Sequence, residues 1–400
     1  MATALKTDGR QVTFLEASLD QAVHRCIDLA SASGTIRLFH SPEPDRREFM
    51  LDVSDQIRFR WTFRAVAGGT ELTIARQSAL PWLTGFGRRA AAASHALSRK
   101  VELFPHLLNL RIAVLGGGTG LYTTLLALRD RTPSLSAVIS GLPRAGRRKD
   151  PKDEIGGLPL EDASLCLVAL APTVHENSVL RQLLEHRVRD GAHAGTHLGT
   201  VLLQALAEVS GSMQSALDEA GRLLRMAGRI VIVHDLLRES AAAFEAGSSP
   251  PAVLTEADMI VIAPGNFELD IEPVLSKPTV QAALRASSGL TVAVARIMTA
   301  EHEGAAATAS GDLHRLSGWL PRLPDVALVN VPALRERQLR AYAAMGSCPI
   351  VPDVEAARRY ARRIVREPLA ADGDLARHDP QRLGDALIQI GSAAVMEAVG

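Results

Sequence analysis

Over residues 19–30 the apolar positions Leu19, Ala22, Val23, Cys26, Ile27 and Ala30 recur at the 3.6-residue period of a one-faced helix. Gly34 is placed to stop it. Beyond that glycine the period drops to two. Residues 35–39, 48–53 and 56–64 alternate, most clearly where Ile57, Phe59, Trp61 and Phe63 interleave with Arg58, Arg60, Thr62 and Arg64. That is a strand with one buried face. Gly68-Gly69 followed by Thr70–Ile74 predicts a hairpin return, and the alanine-rich run 88–103 predicts a closing helix. The first domain, residues 1–104, therefore reads as a small antiparallel α+β module over about residues 10–104. Strand alternation assigns Trp61 and Phe63 to its core rather than to a ligand face. The arginines opposite them form a solvated face or an anion site.

From Leu108 the pattern changes to short, wholly apolar runs separated by helical stripes. The runs are 110–115, 137–139, 230–233, 259–263, 291–294 and 326–330. The stripes cover 121–128, 180–184 and 198–209, then Met213, Ala216, Leu217, Ala220, Leu223 and Leu224. Strands buried on both faces and alternating with helices predict a Rossmann-like, doubly wound and mainly parallel sheet over a second domain, residues 108–400. The small-residue stretch 241–251 reads as a loop, and 304–310 is of low complexity. In open sheets of this kind ligands sit outside the carboxyl ends of the strands, where the strand order reverses. The loops that follow the apolar runs are therefore the ones to read for chemistry.

Composition narrows the classes of partner. Forty-seven per cent of the 400 residues are apolar, and 44 basic residues balance 44 acidic ones. A chain without net charge has no global field to draw it to nucleic acid or to an anionic membrane, so an anionic ligand must be met locally. No apolar run approaches the 18 or so residues of a membrane span, and the first residues carry no apolar signal segment. A cytoplasmic location is expected. Cys26, Cys166 and Cys348 show no spacing for zinc or for a paired motif, and read as reduced core residues.

Gly116-Gly117-Gly118-Thr119-Gly120 stands directly after a strand and before a helix. Residues without side chains let phosphate oxygens approach backbone N–H groups at a helix N-terminus, where the dipole also favours an anion. It is not a dinucleotide fingerprint, because Leu121 stands where the third glycine would, and no Gly-Lys-Ser/Thr follows as in a Walker loop. The alternative is a merely tight turn. After the second strand, Arg144, Arg147, Arg148, Lys149 and Lys152 accompany one acid, Asp150, which makes either a phosphate clamp or a solvated loop. Gly195-Thr196-His197-Leu198-Gly199-Thr200 opens a helix, and Ala263-Pro264-Gly265-Asn266 follows a strand. No histidine has metal-ligand spacing, so no metal is assigned; Asp162 and Asp270 are the acids to weigh for magnesium. No nucleophile elbow marks covalent catalysis.

Taken in order, five segments resemble the family that joins the gluconeogenesis-factor proteins, cytosolic regulators that bind a UDP-sugar, with 2-phospho-L-lactate transferase of deazaflavin cofactor synthesis. They are Val114–Leu121; Leu158-Pro159 through Asp162 with Cys166–Leu170; Gly195–Leu206; Ala257-Asp258 through Pro264-Gly265; and Met298-Thr299. The resemblance spans about Leu108 to Asp353 and leaves out the N-terminal hundred residues. There are departures from it. The family's adjacent aspartates after the second strand are Ser140-Gly141 and then Leu142-Pro143-Arg144-Ala145 here. Its arginine and asparagine after Asp162 are Ser164 and Leu165. Its helix-opening histidine and asparagine are Thr196 and Thr200, with His197 one position away, and its serine after Pro264-Gly265 is Asn266.

The resemblance implies a nucleotide-sugar-binding regulatory protein, linked to carbon metabolism or cell-envelope control. Its site residues would be Gly116, Gly117, Gly118, Thr119, Gly120, Arg147, Asp162, His197, Gly199, Thr200, Gly265 and Asn266. The alternatives are a phosphoryl or phospho-lactyl transferase, the one reading that would take Mg²⁺, and a scaffold with a degenerate site. Loss of the aspartate pair favours the regulator. The partners implied are a nucleotide sugar or another phosphorylated small molecule, and neither nucleic acid nor membrane. A protein partner is open for the N-terminal module. The apolar stripe Leu383, Ala386, Leu387, Ile390 and Ala394 is open to pack on the chain's own core or on a second copy. Gly118→Val is expected to abolish binding while leaving the thermal midpoint nearly unchanged.

Overall fold

A computed structural model of the chain describes residues 5–7, 10–15, 19, 22–23, 26–27, 35–39, 43–54, 57–67, 69–78, 110–140, 160–171, 179–184, 186–191, 193–233, 250–300, 303, 307–331, 334–344, 346–373 and 375–399. The chain divides into two compact units, one of residues 1–110 with 392–400 and one of residues 111–391.

The first unit is a six-stranded antiparallel sheet built from β1 (Leu5–Thr7), β2 (Arg10–Leu15), β3 (Thr35–Phe39), β4 (Arg46–Ser54), β5 (Ile57–Val66) and β6 (Gly69–Ser78), in the order β1-β2-β6-β5-β4-β3. The alternation in β5 does what its period predicts. Phe59, Trp61 and Phe63 turn inward with Phe49 of β4, whose ring lies 5.1 Å from that of Trp61 and 5.5 Å from that of Phe63. The helical residues Ala22 and Cys26 close the same core. Arg60 and Arg64 stand exposed on the other face. The hairpin β1–β2 was not expected. Its alternation is too short to register as a pattern, and its place is set by pairing with β6, Val12 opposite Thr73. The predicted helix 88–103 and the Arg58 side chain lie outside the described residues.

The second unit is the expected doubly wound sheet. Seven parallel strands, β7 (Ile112–Leu115), β8 (Leu135–Ser140), β9 (Arg229–Val233), β10 (Met259–Ile262), β11 (Leu290–Val294), β12 (Val326–Asn330) and β13 (Arg363–Glu367), lie in the order β9-β8-β7-β10-β11-β12-β13. The order reverses between β7 and β10, which makes the gap between their carboxyl ends the switch point of the sheet. The β7 and β10 side chains are buried on both faces, as their uninterrupted apolar sequence requires. Strand β13 escaped the sequence pattern because Arg363-Ile364-Val365-Arg366-Glu367 mixes charge with apolar residues. An edge strand tolerates that mixture because one side meets solvent. The opposite edge, β9, is covered by a side chain: Gln214 donates to the Ile230 carbonyl at 2.8 Å and accepts from the Ile232 N–H at 3.2 Å.

Two expectations change. Residues 250–251, read as the end of a loop, are the first turn of helix Pro250–Thr255, since proline is tolerated where the N–H has no intrahelical partner. The C-terminal stripe resolves inward: in helix Pro380–Val399, Leu383, Ala386, Leu387 and Ile390 are buried in the chain's own core. A Cβ on Gly384 would come within 2.5 Å of the Ala127 carbonyl oxygen, so this helix meets helix Gly118–Leu128 backbone to backbone. Cys26 and Cys166 are buried and Cys348 is half-buried. Among the described residues no helix is long and apolar enough to cross a membrane.

His378, next to that helix, is buried, and its Nε2 has no partner among the described residues. Burial pushes its pKa down to about 4, against the raising effect of its bond to the Ala295 backbone. In the unfolded chain the same imidazole protonates near 6.5. Stability is therefore complete above pH 6.5 and falls as the pH drops towards 4, by up to about 3 kcal/mol from this group. Urea unfolding at pH 7, 5.5 and 4.5 should show that loss, and His378→Gln should lose less over the same range. An identical slope in the variant would assign the acid sensitivity to other groups.

Candidate functional site

Strand β7 ends in the glycine loop, and β10, its parallel neighbour, ends in Ala263-Pro264-Gly265-Asn266. The two loops close on each other. A Cβ on Gly120 would sit 1.4 Å from the Pro264 carbonyl oxygen, and one on Gly116 would sit 3.2 Å from the Ala263 Cβ. Packing between the loops requires a glycine at Gly120, whereas at Gly116 the contact is only tight and the backbone, at φ +145°, favours glycine. Gly118 is required by its backbone, which lies at φ +63°, a conformation that costs residues with a Cβ, and branched ones most. The expectation that Gly118→Val would spare stability is therefore corrected: valine there is strained whether or not a ligand binds.

Helix Gly118–Leu128 starts from this loop with Gly117 as its N-cap, no capping side chain and no acid in its first turn. Its N-terminal N–H groups divide. That of Gly118 donates to Asp162 Oδ1 at 2.8 Å, and that of Leu121 donates to the Gly117 carbonyl at 3.3 Å. The N–H groups of Gly117, Thr119 and Gly120 have no acceptor among the described residues. Thr119 is exposed, so the uncapped turn opens outward at the switch point. Free N–H groups and the positive end of the helix dipole suit an anion there.

Asp162 lies in helix Leu160–Leu170 with 7% of its surface exposed. It reaches the loop because its helix buries Cys166, Leu167 and Leu170 and packs against helix Gly118–Leu128. Its first chemical task is thus to hold the loop. It also places a carboxylate beside the free N–H groups, a charge that repels a phosphate unless a cation offsets it. Asn266 is used locally as well: its side chain caps the π-helical turn Phe267–Ile271 by accepting from the Leu269 N–H at 3.0 Å, while its own N–H donates to Asp270 at 2.8 Å. Asp270, weighed for magnesium, is thereby tied into the turn. A Cβ on Gly265 would come within 2.8 Å of that carboxylate. π-Helical turns of this kind are frequent at functional sites.

His197, Gly199 and Thr200 open helix Leu198–Ser210, with His197 as the N-cap and Thr200 buried. Gly199 permits close approach to the Leu184 carbonyl, 3.0 Å from the position a Cβ would take. Their link to the glycine loop is indirect, since this helix packs on Leu160–Leu170, which packs on Gly118–Leu128. Arg147 and the rest of the basic run lie outside the described residues. Among the described residues no group of three or more His, Cys, Asp or Glu side chains is arranged to hold a metal.

The sequence reading missed a half-buried ion cluster after β11. Arg296 donates from Nε and Nη2 to Asp312 at 2.9 and 2.7 Å, and from Nη1 and Nη2 to Glu303 at 2.7 and 3.0 Å. Burial disfavours the ionised form of Glu303. The Arg296 guanidinium and the Ala300 N–H outweigh it and hold its pKa below the ordinary value. The only sequence signal was an arginine three residues before Thr299 at the end of a buried strand. Its partners are 7 and 16 residues away and carry no motif.

Asp162 gives the direct test of the loop. Asp162→Ala leaves the buried Gly118 N–H without an acceptor and should cost about 1–3 kcal/mol of unfolding free energy, whereas Asp162→Asn keeps an acceptor oxygen and should lose less. Equal losses in urea titrations would show that the charge, not the hydrogen bond, holds the loop.

With the geometry in view, comparison with known proteins is specific. A family profile described as 2-phospho-L-lactate transferase CofD matches residues 112–250 and 232–370. A protein of Nostoc sp. named "Putative gluconeogenesis factor" is 26% identical over 313 residues, which are 70% of this chain and 68% of the relative. One of the same name from Mycobacterium tuberculosis is 29% identical over 276 residues, 58% of this chain and 81% of the relative. The crystal structure of a UPF0052 family protein from Bacillus halodurans superposes with a TM-score of 0.60 at 22% identity, covering 69% of this chain and 98% of that one. That likeness shows a shared fold. From Ile112 to Ala370 this chain belongs to the CofD family, the family of 2-phospho-L-lactate transferase to which the similar gluconeogenesis-factor proteins are also related.

Proposed function

We propose that the protein binds a phosphorylated small molecule, a nucleotide sugar, with its phosphates on the backbone of Gly117 to Gly120, and acts as a binding regulator rather than as a transferase. The carrying observation is the uncapped first turn of helix Gly118–Leu128 at the switch point, with three N–H groups that lack acceptors among the described residues. The name shared by the relatives supports a role in carbon metabolism, and a link to cell-envelope control belongs to the same proposal. Ser140, at the carboxyl end of β8, stands where the family's aspartate pair is expected to begin, which removes carboxylates from the crevice. In this reading the basic run around Arg147 supplies the counter-charge.

One observation favours the transferase reading. The Asp162 carboxylate beside the free N–H groups is a charge that a divalent cation would offset, and the matching profile is described as that of a transferase. Phosphoryl chemistry needs such neutralisation of its transition-state charge.

A thermal-shift screen against UDP-sugars, other nucleotides and inorganic pyrophosphate, with Mg²⁺ or with EDTA, separates the two. A ligand at 100 times its Kd adds about 2.7 kcal/mol. A shift with a UDP-sugar in EDTA, strengthened by Asp162→Asn, supports the regulator. A shift that requires Mg²⁺ and disappears in Asp162→Asn supports the transferase, and no shift with any of them removes both.

A further inference from the structure

A second concavity lies on the same edge of the sheet. Arg296 and Ile297 after β11, Val329 to Val331 at the end of β12, Leu339 and Ile350 line an open concavity of about 330 Å³, within the size range of small-molecule sites. Its lining is apolar except for Arg296 and Asn330. Both polar groups are engaged: Arg296 is held by Glu303 and Asp312, and Asn330 Oδ1 accepts from the Leu369 and Ala370 N–H groups, each at 2.9 Å. A phosphate or carboxylate entering here would lose water and gain no free donor, which is a net cost. An uncharged apolar group loses nothing comparable and gains the burial.

The cavity lies along the same sheet edge as the switch point but shares no lining residue with its two loops. Strand order places the β11–β12 gap two strand spacings, about 10 Å, from the β7–β10 gap. Helix Ala309–Ser317 forms one cavity wall through Ala309 and carries Asp312. It also reaches the π-helical turn, where Arg315 donates to Glu268 at 2.9 Å. One helix thus touches both the cavity and the turn that follows the Pro264 loop.

We infer that this cavity is a binding site for an uncharged aromatic or branched aliphatic group, chemically distinct from the anion site on the glycine loop. Neither the volume nor the lining depends on whether phosphate binds at Gly117 to Gly120, so the two sites are tested separately.

Geraniol, a branched apolar alcohol without charge, is the probe, titrated by calorimetry into the full-length protein. Val351→Trp and Leu339→Trp fill the cavity from two sides. Val351 is 48% exposed and Leu339 is half-buried, so the larger ring has room without rebuilding the core. Val209→Trp, at a position 88% exposed on another helix, controls for an added indole. The expected result is saturable geraniol binding in the wild type, weakened about tenfold or more in both filled variants and kept in the control. No saturable binding to the folded wild type, or binding equal in all four proteins, would overturn the inference. Pyrophosphate titrated into the same four proteins reports on the glycine loop alone. Geraniol binding without pyrophosphate binding would leave the cavity standing whatever the outcome of the UDP-sugar screen, and pyrophosphate binding without geraniol binding would overturn only the cavity.

Discussion

The close approach of two backbones at the switch point governs the second unit. Strands β7 and β10 pair in parallel from Ile112 opposite Met259 to Leu115 opposite Ile262, so both chains leave the sheet at the same level and must turn away within one residue. The first turn of helix Gly118–Leu128 then lies on the Pro264 carbonyl, at a separation that leaves no room for a Cβ on Gly120. The N-cap, Gly117, carries no side chain, so the first turn is uncapped and three of its N–H groups have no acceptor among the described residues. The glycines therefore do not by themselves signal a ligand, and the proposed anion site rests on the unused N–H groups.

Charge along the carboxyl edge is largely settled within the protein. Asp162 holds Gly118, Asp270 holds Asn266, and Glu303 with Asp312 surrounds Arg296. Each acid, buried at Asp162 and half-buried at the other three, has a partner close by. An incoming anion thus finds main-chain donors rather than a free guanidinium among the described residues. This arrangement fits a chain whose basic and acidic residues balance. Farther along, the edge turns apolar around Val329 and Ile350, so uncapped main-chain donors and an apolar concavity occupy one edge of the sheet.

The first unit has its own core and its own logic. Phe49, Trp61 and Phe63 pack together on one face of the antiparallel sheet with the helical residues Ala22 and Cys26. Among the described residues the members of that core all lie between Leu19 and Ile74, and the family match begins only at Ile112. Fold and family thus change at nearly the same place in the chain.

Periodicity alone determined most of the architecture. The stripe at Leu19 to Ile27, the alternation of β5 and the apolar runs of β7 to β12 are local patterns whose burial follows directly from the residues that carry them, and the glycine loop was visible as a strand-to-helix junction. Short or mixed segments escaped, β1 and β2 through brevity and β13 through the charges an edge strand accepts. Only the tertiary structure decided what each glycine is for, that Asp162 reaches Gly118 across 44 residues, that Asn266 caps a π-helical turn, and that Arg296 is enclosed by Glu303 and Asp312. The physical reason is range. Hydrophobic period is set by neighbours three or four positions apart, whereas hydrogen bonds and ion pairs in a doubly wound sheet join loops that the strand order, not the sequence, brings together.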